Sequence, residues 1–287
     1  MNSGTQLLCH TVVFLRVSLL IPTALSSSEK DRGIQSMSSQ EELLSAGEIS
    51  ILVVFDNYPY LYKLQTSCGF SCVVRGAKQT ILFDTGGSGN ILIGNLWKLR
   101  IDPITIDLVF LSHDHYDHTG GLEALLAINP KIAVCLPQSF PQVFKSKVQA
   151  LGAKVVEVDG PTEFGNGVFS TGELGTSIVE QSLVLRTDKG IILITGCAHP
   201  GIVSVIEKTK EHFDNDEVLL VMGGVHLRGV KISWIRSIIA QFKKLGVRNV
   251  GLCHCSGDQV RTLFKEEYGK HYLETGAGAA ISDLSRY

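Results

Sequence analysis

Charge of one sign is what this chain has least of. Its 26 Lys and Arg stand against 28 Asp and Glu, a formal net charge of −2. A protein that grips nucleic acid carries a basic excess, so the composition gives no electrostatic footprint for such a partner. Long apolar runs are missing too. Leu7 to Leu25 is apolar in stretches but broken by His10 and Arg16, too short and too interrupted for a membrane span. Met1 to Gln6 holds no Lys or Arg, so the basic start of a secretory signal is absent. Residues 1–36, which run on into polar Ser26-Ser27-Ser28-Glu29-Lys30-Asp31-Arg32, are expected to be a disordered leader. A mis-assigned gene start, with Met37 opening the protein, is the first reading. A weak signal or anchor, which would make the protein secreted or membrane-anchored, is the alternative.

Regular cysteine spacing is absent as well. Seven cysteines, an odd number, do not make a disulfide framework, and Cys253-His254-Cys255 is not a zinc-ribbon spacing. Reduced thiols in a cytoplasmic protein fit better. The glycine-rich stretch from Gly165 to Gly175 lacks the Gly-x-x-x-x-Gly-Lys-Ser/Thr pattern. It reads as a flexible loop bordering a pocket rather than a phosphate cradle. No internal repeat or low-complexity tract is visible. With 44% hydrophobic residues the chain has ample core, and residues 37–287 are expected to form one domain.

What is present is concentrated in Ser112-His113-Asp114-His115-Tyr116-Asp117-His118-Thr119-Gly120-Gly121. Imidazole and carboxylate at that density suit a borderline divalent ion such as zinc. Ile104 to Leu111, just before it, is apolar and β-branched and predicts a buried strand. Leu122 to Ile128 predicts an apolar helix stopped by Asn129-Pro130. The run is therefore a loop between a strand end and a helix start, where a rigid scaffold commonly holds reactive groups. Alternate side chains of extended backbone point the same way. His113 and His115 can share one ion while Asp114 and Tyr116 face elsewhere. Asp117 and His118, at the turn into the helix, can reach a second.

This run, with Leu82-Phe83-Asp84-Thr85-Gly86 upstream, resembles the metallo-β-lactamase fold superfamily. Thr195-Gly196-Cys197-Ala198-His199-Pro200-Gly201, Met222-Gly223-Gly224-Val225-His226-Leu227 and Cys253-His254-Cys255-Ser256-Gly257 narrow the resemblance. They are similar to the 7,8-dihydropterin-6-methyl-4-(β-D-ribofuranosyl)aminobenzene-5′-phosphate synthase-like subfamily. The likeness covers Ile49 to the C-terminus. It implies an α+β protein, a four-layer αββα sandwich. The element order agrees: many strands early, then helices between later strands. Strands are predicted over Ile49–Phe55, Ser71–Arg75, Thr80–Phe83, Lys131–Leu136 and Lys154–Val158. A hairpin follows from Ser182–Arg186 to Ile191–Thr195, then strands Val218–Met222 and Asn249–Cys253. Helices are predicted over Pro141–Leu151, Ile202–Phe213, Ser233–Leu245 and Gly257–Tyr268.

The resemblance also implies a ligand set. His113, His115 and His199 would hold one ion, and Asp117, His118 and His254 a second. Asp84 would support the histidine loop by accepting a ligand's other N–H. His199 keeps a helix-capping or core role as its alternative. Cys197 stands where the superfamily usually carries a metal-bridging aspartate. It is either a thiolate ligand or a buried apolar thiol, which leaves the second ion open. Glu180 either replaces the missing ligand or is a solvated glutamate. His226 is a substrate contact or general acid, a ligand, or a structural histidine. His10, His212 and His271 are taken as surface or structural.

Such a centre, with one or two Zn2+ and Mn2+ or Fe2+ as alternatives, implies a hydrolase. Water activated by the ion would attack an ester, lactone, thioester or phosphoester, with Asp117 orienting it. The subfamily name implies an alternative, a transferase that displaces pyrophosphate from a dihydropterin pyrophosphate. A non-catalytic metal-binding sensor is the third reading. The expected partner is a small-molecule substrate, with no nucleic acid and no membrane; the oligomeric state stays open.

Overall fold

Two mixed sheets form the centre of the protein. The computed structural model describes residues 43–214 and 216–286; the expected leader, residues 1–36, lies outside them. In chain order the strands are β1 (Ser50–Phe55), β2 (Ser71–Arg75), β3 (Ile81–Phe83), β4 (Leu108–Phe110), β5 (Ala133–Pro137), β6 (Lys154–Val158), β7 (Thr162–Gly165), β8 (Val168–Ser170), β9 (Leu183–Thr187), β10 (Gly190–Thr195), β11 (Val218–Gly223), β12 (Val247–Leu252) and β13 (Ala280–Ser282). The first sheet runs β13-β1-β2-β3-β4-β5-β6 and the second β12-β11-β10-β9-β8-β7.

The strands are apolar on both faces because both faces are covered. Along β10, Ile192 and Ile194 enter the core between the sheets, where they share a cluster with Phe83 and Phe110 of the first sheet. Ile191 and Leu193 point the other way, into a cluster with Ile235, Ile239 and Phe242. Those last three lie on α6 (Ile232–Lys244), which with α5 (Ile202–His212) and α7 (Asp258–Tyr268) covers the second sheet. The period-two alternation of the strand meets the three-to-four spacing of the helix. On the opposite side, α1 (Gly89–Lys98), α3 (Leu122–Leu126) and α4 (Gln142–Ala150) cover the first sheet through Leu92, Leu96, Leu125 and Val148, with the one-turn α2 (Tyr116–Thr119) leading into α3. The result is the four-layer αββα order. Among the described residues no helix is long and apolar enough to cross a membrane.

Two local expectations need correction, and two elements add to the expected set. The strand over Ile104–Leu111 shortens to Leu108–Phe110, because Pro103–Thr105 is a 3-10 turn whose Ile104 amide is capped by Asp102. Proline at the first position favours that turn and removes a ladder donor. The Gly165–Gly175 stretch is not a simple loop. β7 and β8 pair antiparallel there, turning on Asn166 and Gly167, both at positive φ (51° and 76°). An Asn-Gly pair is the usual composition of such a turn. Helix α1 was missed because its two glycines and two β-branched residues lower helix propensity. Burial of Leu92, Asn95 and Leu96 on one face overrides that. Strand β13, near the C-terminus, pairs with β1 and was also missed.

β3-β4-β5-β6 run parallel, as do β10-β11-β12. β1 lies two antiparallel steps from β3 and so points the same way as β3. The C-terminal ends of β1, β3, β4, β10, β11 and β12 all deliver residues to one site. Ligands of open α/β sheets gather at such carboxyl ends.

Candidate metal centre

Each strand end hands the chain to a tight, polar turn. Four non-glycine residues there lie in the left-handed region: Asp84 (φ 51°), Ala198 (φ 56°), His226 (φ 48°) and His254 (φ 46°). Such conformations cost on the order of 1 kcal/mol or more and persist where the surroundings impose them. All four lie in or beside the cluster of candidate ligands.

The histidine loop is pinned from below by Asp84, which is fully buried. Its Oδ1 accepts the Ser112 amide at 2.7 Å, and its Oδ2 accepts the Ser112 hydroxyl at 2.8 Å. The same Oδ2 lies 2.6 Å from His118 Nδ1. With the hydroxyl proton spent on Asp84, His113 Nδ1 donates to Ser112 Oγ at 2.9 Å. His113 and His118 therefore both turn an Nε2 lone pair away from the sheet. Asp114 and Tyr116 point outward and are exposed. Close approach of the two halves requires Gly196, where a Cβ would sit 2.1 Å from Ser112 Oγ.

The second half is organised by Glu180. It is neither solvated nor part of a candidate ligand group: it is 2% exposed and its oxygens are taken by backbone. Oε1 accepts the amides of Gly196 (3.1 Å), Cys197 (2.8 Å) and Ala198 (2.8 Å), and Oε2 accepts that of His199 (2.9 Å). Burial pushes its carboxyl upward, and these amides pull it back. Glu180 thus shapes the turn that presents Cys197 and His199. His254 is held in a similar way, its Nδ1 donating to Asn57 Oδ1 at 2.8 Å.

The donors converge in two groups. The donor atoms of His113, His115 and His199 lie within 4.8 Å of one another, and so do those of Asp117, His118 and His254. Cys197 Sγ sits 3.3 Å from His118 Nε2. The Nε2 atoms of His113, His199 and His254 are buried and have no hydrogen-bond partner. Orphaned buried nitrogens of this kind are costly. The Nδ1 anchors of His113 and His254 leave their Nε2 atoms as lone-pair donors, and the residues together fit a divalent ion with nitrogen, oxygen and sulfur ligands.

Electrostatics divide the donor set. Burial, then the neighbouring imidazoles, hold His113 well below the usual histidine range and push His199 down to about 4. Both are thus in the neutral, ligating form. His254, whose Nε2 lies 3.4 Å from Asp117 Oδ2, is the main cause that keeps Asp117 well below the usual carboxylate range. Burial alone would lower His118, but Asp84 carries it above its ordinary value. His226 is raised, chiefly by its hydrogen bond with the Cys255 thiol.

Two cavities meet at His226. One, of about 340 Å3, is walled by Asn57, Cys68, His115, Asp117 and Arg228 among others. The other, of about 330 Å3, is apolar and lined by Val203, Leu227, Val230 and Trp234, with His199 at its edge. Reading the sequence missed Asn57, Cys255, Arg228 and the bracing role of Glu180. Asn57 had a signal: Asp56-Asn57 ends an apolar strand as Asp84 does. Glu180 had none, because its partners are backbone amides. Of the histidines set aside as structural, His271 donates from Nδ1 to Asn249 Oδ1 at 2.9 Å, away from the site.

A profile of the metallo-beta-lactamase superfamily matches residues 69–206. The chain is 30% identical over 251 residues to a 7,8-dihydropterin-6-methyl-4-(beta-D-ribofuranosyl)-aminobenzene-5′-phosphate synthase of Methanocaldococcus jannaschii, covering 72% of this chain and 85% of the relative. It superposes on Tm1679, described as a metal-dependent hydrolase of the beta-lactamase superfamily, with a TM-score of 0.70 at 29% identity, over 82% of this chain and 98% of the other. The fold extends to YhfI of Bacillus subtilis, with a TM-score of 0.59 at 12% identity over 82% and 99% of the two chains. With its strand-end donors, its four layers and these relatives, the chain belongs to the metallo-beta-lactamase superfamily, in the group similar to the dihydropterin-aminobenzene-phosphate synthase.

Proposed function

We propose that the chain is a metal-dependent hydrolase of a small anionic ester, lactone, thioester or phosphoester, carried by one domain over residues 37–287. The observation behind this is the set of three buried, unpartnered Nε2 atoms of His113, His199 and His254 beside the ionised Asp117. His113, His115 and His199 would hold one divalent ion, and Asp117, His118 and His254 a second. Zinc is the first candidate, with manganese or iron(II) behind it. When bound, such ions supply an acidified water and positive charge for a carbonyl or phosphoryl oxygen.

The rest is the work of side chains. Asp117 stays ionised and accepts a hydrogen bond from the attacking water, which orients it. His226 stands on the wall shared by both cavities and is biased toward the imidazolium. It donates a proton to the leaving group. Arg228, exposed at the mouth, draws in the anionic group of the substrate. The apolar cavity with Trp234 takes its apolar arm. Asp84, Ser112, Asn57 and Glu180 hold these groups in place, so little reorganisation accompanies reaction. The free cysteines Cys68, Cys72, Cys135, Cys197, Cys253 and Cys255 suit a reducing, cytoplasmic setting.

The Methanocaldococcus relative supports a second reading, a synthase acting on a pterin-type substrate. One experiment separates the readings. Metal-stripped and metal-restored protein is run against a panel of esters, lactones, thioesters and phosphoesters, and against a dihydropterin pyrophosphate with an aminobenzene ribofuranosyl phosphate. Metal-dependent turnover on the panel supports the hydrolase. Pyrophosphate release only with both pterin-pathway substrates supports the synthase. Bound metal without turnover in either assay leaves a sensor, and full activity without metal overturns every metal-based reading.

A further inference from the structure

One sulfur atom sits among the donors without a task in the reading above. Cys197 Sγ shares a donor group with His113 and His118, a second with His199 and His226, and a third with His254 and Cys255, the atoms of each group lying within 4.8 Å of one another. It therefore reaches His113 and His199 of the first ligand set and His118 and His254 of the second. Its 3.3 Å separation from His118 Nε2 is close to the roughly 3.5 Å that two donors keep on one tetrahedral ion with bonds of about 2.0–2.3 Å.

A thiol buried for packing alone would face apolar side chains. Cys72, Cys135 and Cys253 belong to the apolar core between the sheets. Cys197 is 3% exposed but belongs to none of the three apolar clusters. Its surroundings are imidazoles and a second thiol. The backbone is shaped to bring it there: Glu180 grips its amide and the two amides after it, and Ala198 takes a positive φ of 56°. The close approach of the neighbouring turns needs Gly224, where a Cβ would sit 2.2 Å from the Gly196 carbonyl oxygen, 2.7 Å from Cys255 Sγ and 3.2 Å from the His254 ring.

We propose that Cys197 binds as a thiolate shared between the two ions of the centre. The inference rests on the reading that the two histidine sets hold metal. Binding forms metal–sulfur bonds and releases the thiol proton to solvent, with no change of oxidation state. A soft thiolate at that position favours zinc, cobalt(II) or cadmium over manganese or magnesium. Cys255, whose Sγ donates to the Cys197 carbonyl oxygen at 3.9 Å, stays outside the proposed ligand set.

Cobalt(II) tests this without any substrate. The full-length protein is stripped with chelator and reloaded with cobalt. The ion content is measured by elemental analysis, and sulfur-to-cobalt charge transfer by near-ultraviolet absorption. Two ions per chain and a charge-transfer band are expected of the wild type. Cys197→Ser should lose the band and at least tenfold in affinity for one ion. Cys197→Asp should restore two ions without the band, and Cys255→Ser should keep both. Circular dichroism checks that each variant folds; if Cys197→Ser does not, Cys197→Asp carries the test. Two cobalt ions with no band in the wild type overturn the proposal alone, as does a band that survives in Cys197→Asp or disappears in Cys255→Ser. Folded wild type that takes up no cobalt overturns this proposal and the metal reading together.

Discussion

Replacing Glu180 by Gln tests whether a buried carboxylate builds the second half of the site. Three amides converge on Oε1 and one on Oε2, at 2.8–3.1 Å, around a side chain 2% exposed. The Gln oxygen can keep the first three, but its NH2 then faces the His199 N–H, donor against donor. An unsatisfied buried donor costs about 1–3 kcal/mol. The three bonds that survive lose their charge assistance, about half their strength, for roughly another 1 kcal/mol. Relief of the buried charge, whose carboxyl burial pushes upward, offsets part of this. The net loss is about 2–3 kcal/mol. For a domain of this size that lowers Tm by roughly 5–10 °C. Thermal unfolding of the metal-free protein, followed by circular dichroism, measures it without any contribution from bound ion. The same change should weaken metal binding by about 10–100-fold, because His199 loses its anchor. A surface glutamate would change stability by no more than about 0.5 kcal/mol. Glu180→Gln melting within about 1 °C of wild type would refute the bracing role.

Other outcomes follow from the same geometry. Asp84→Asn places an amide against His118 Nδ1, which moves that proton to Nε2 and removes the lone pair. Metal affinity should fall about 10–100-fold with the fold intact, measured by competition with a chelating dye; unchanged affinity would show that His118 is not a ligand. His113 is held neutral in the fold, so the unfolded chain binds the extra proton once pH falls below the ordinary value of 6.5. Its contribution to stability is therefore lost as pH falls, at up to about 1.4 kcal/mol per unit. In denaturant titrations between pH 6.5 and about 4.5, metal-free wild type should lose stability faster than His113→Gln, and parallel curves would contradict the assignment. Trp234→Ala should raise KM roughly tenfold for a substrate with an apolar arm, as expected when an aromatic wall is lost, while kcat changes little. An equal effect on substrates without that arm would remove the apolar cavity from the binding site.

What could be read in advance and what could not divide along a physical line. The ends of β3, β4, β10 and β12 were legible because an apolar run stops abruptly at Asp84, His113, Cys197 or His254, and those side chains declare their chemistry. The β7–β8 turn was hidden behind its glycine count, although Asn166-Gly167 is a hairpin signal, because the flanking strands are only four and three residues long. Helix α1 was hidden because tertiary burial outweighed poor propensity. Glu180 was illegible for a deeper reason. Its four partners are backbone amides, which every residue but proline owns, and they converge only because Ala198 adopts a positive φ. Donor identity is thus carried by side chains, while donor placement is carried by backbone turns and by the groups that brace them. That division explains why Cys197 stood open between ligand and apolar thiol. Its type fits both, and the proposal that it is a ligand rests on its position among His113, His118, His199 and His254, outside every apolar cluster. It also follows that substitutions at Glu180 and Asn57, which donate nothing to a metal, should perturb the centre nearly as much as substitutions of the ligands they hold.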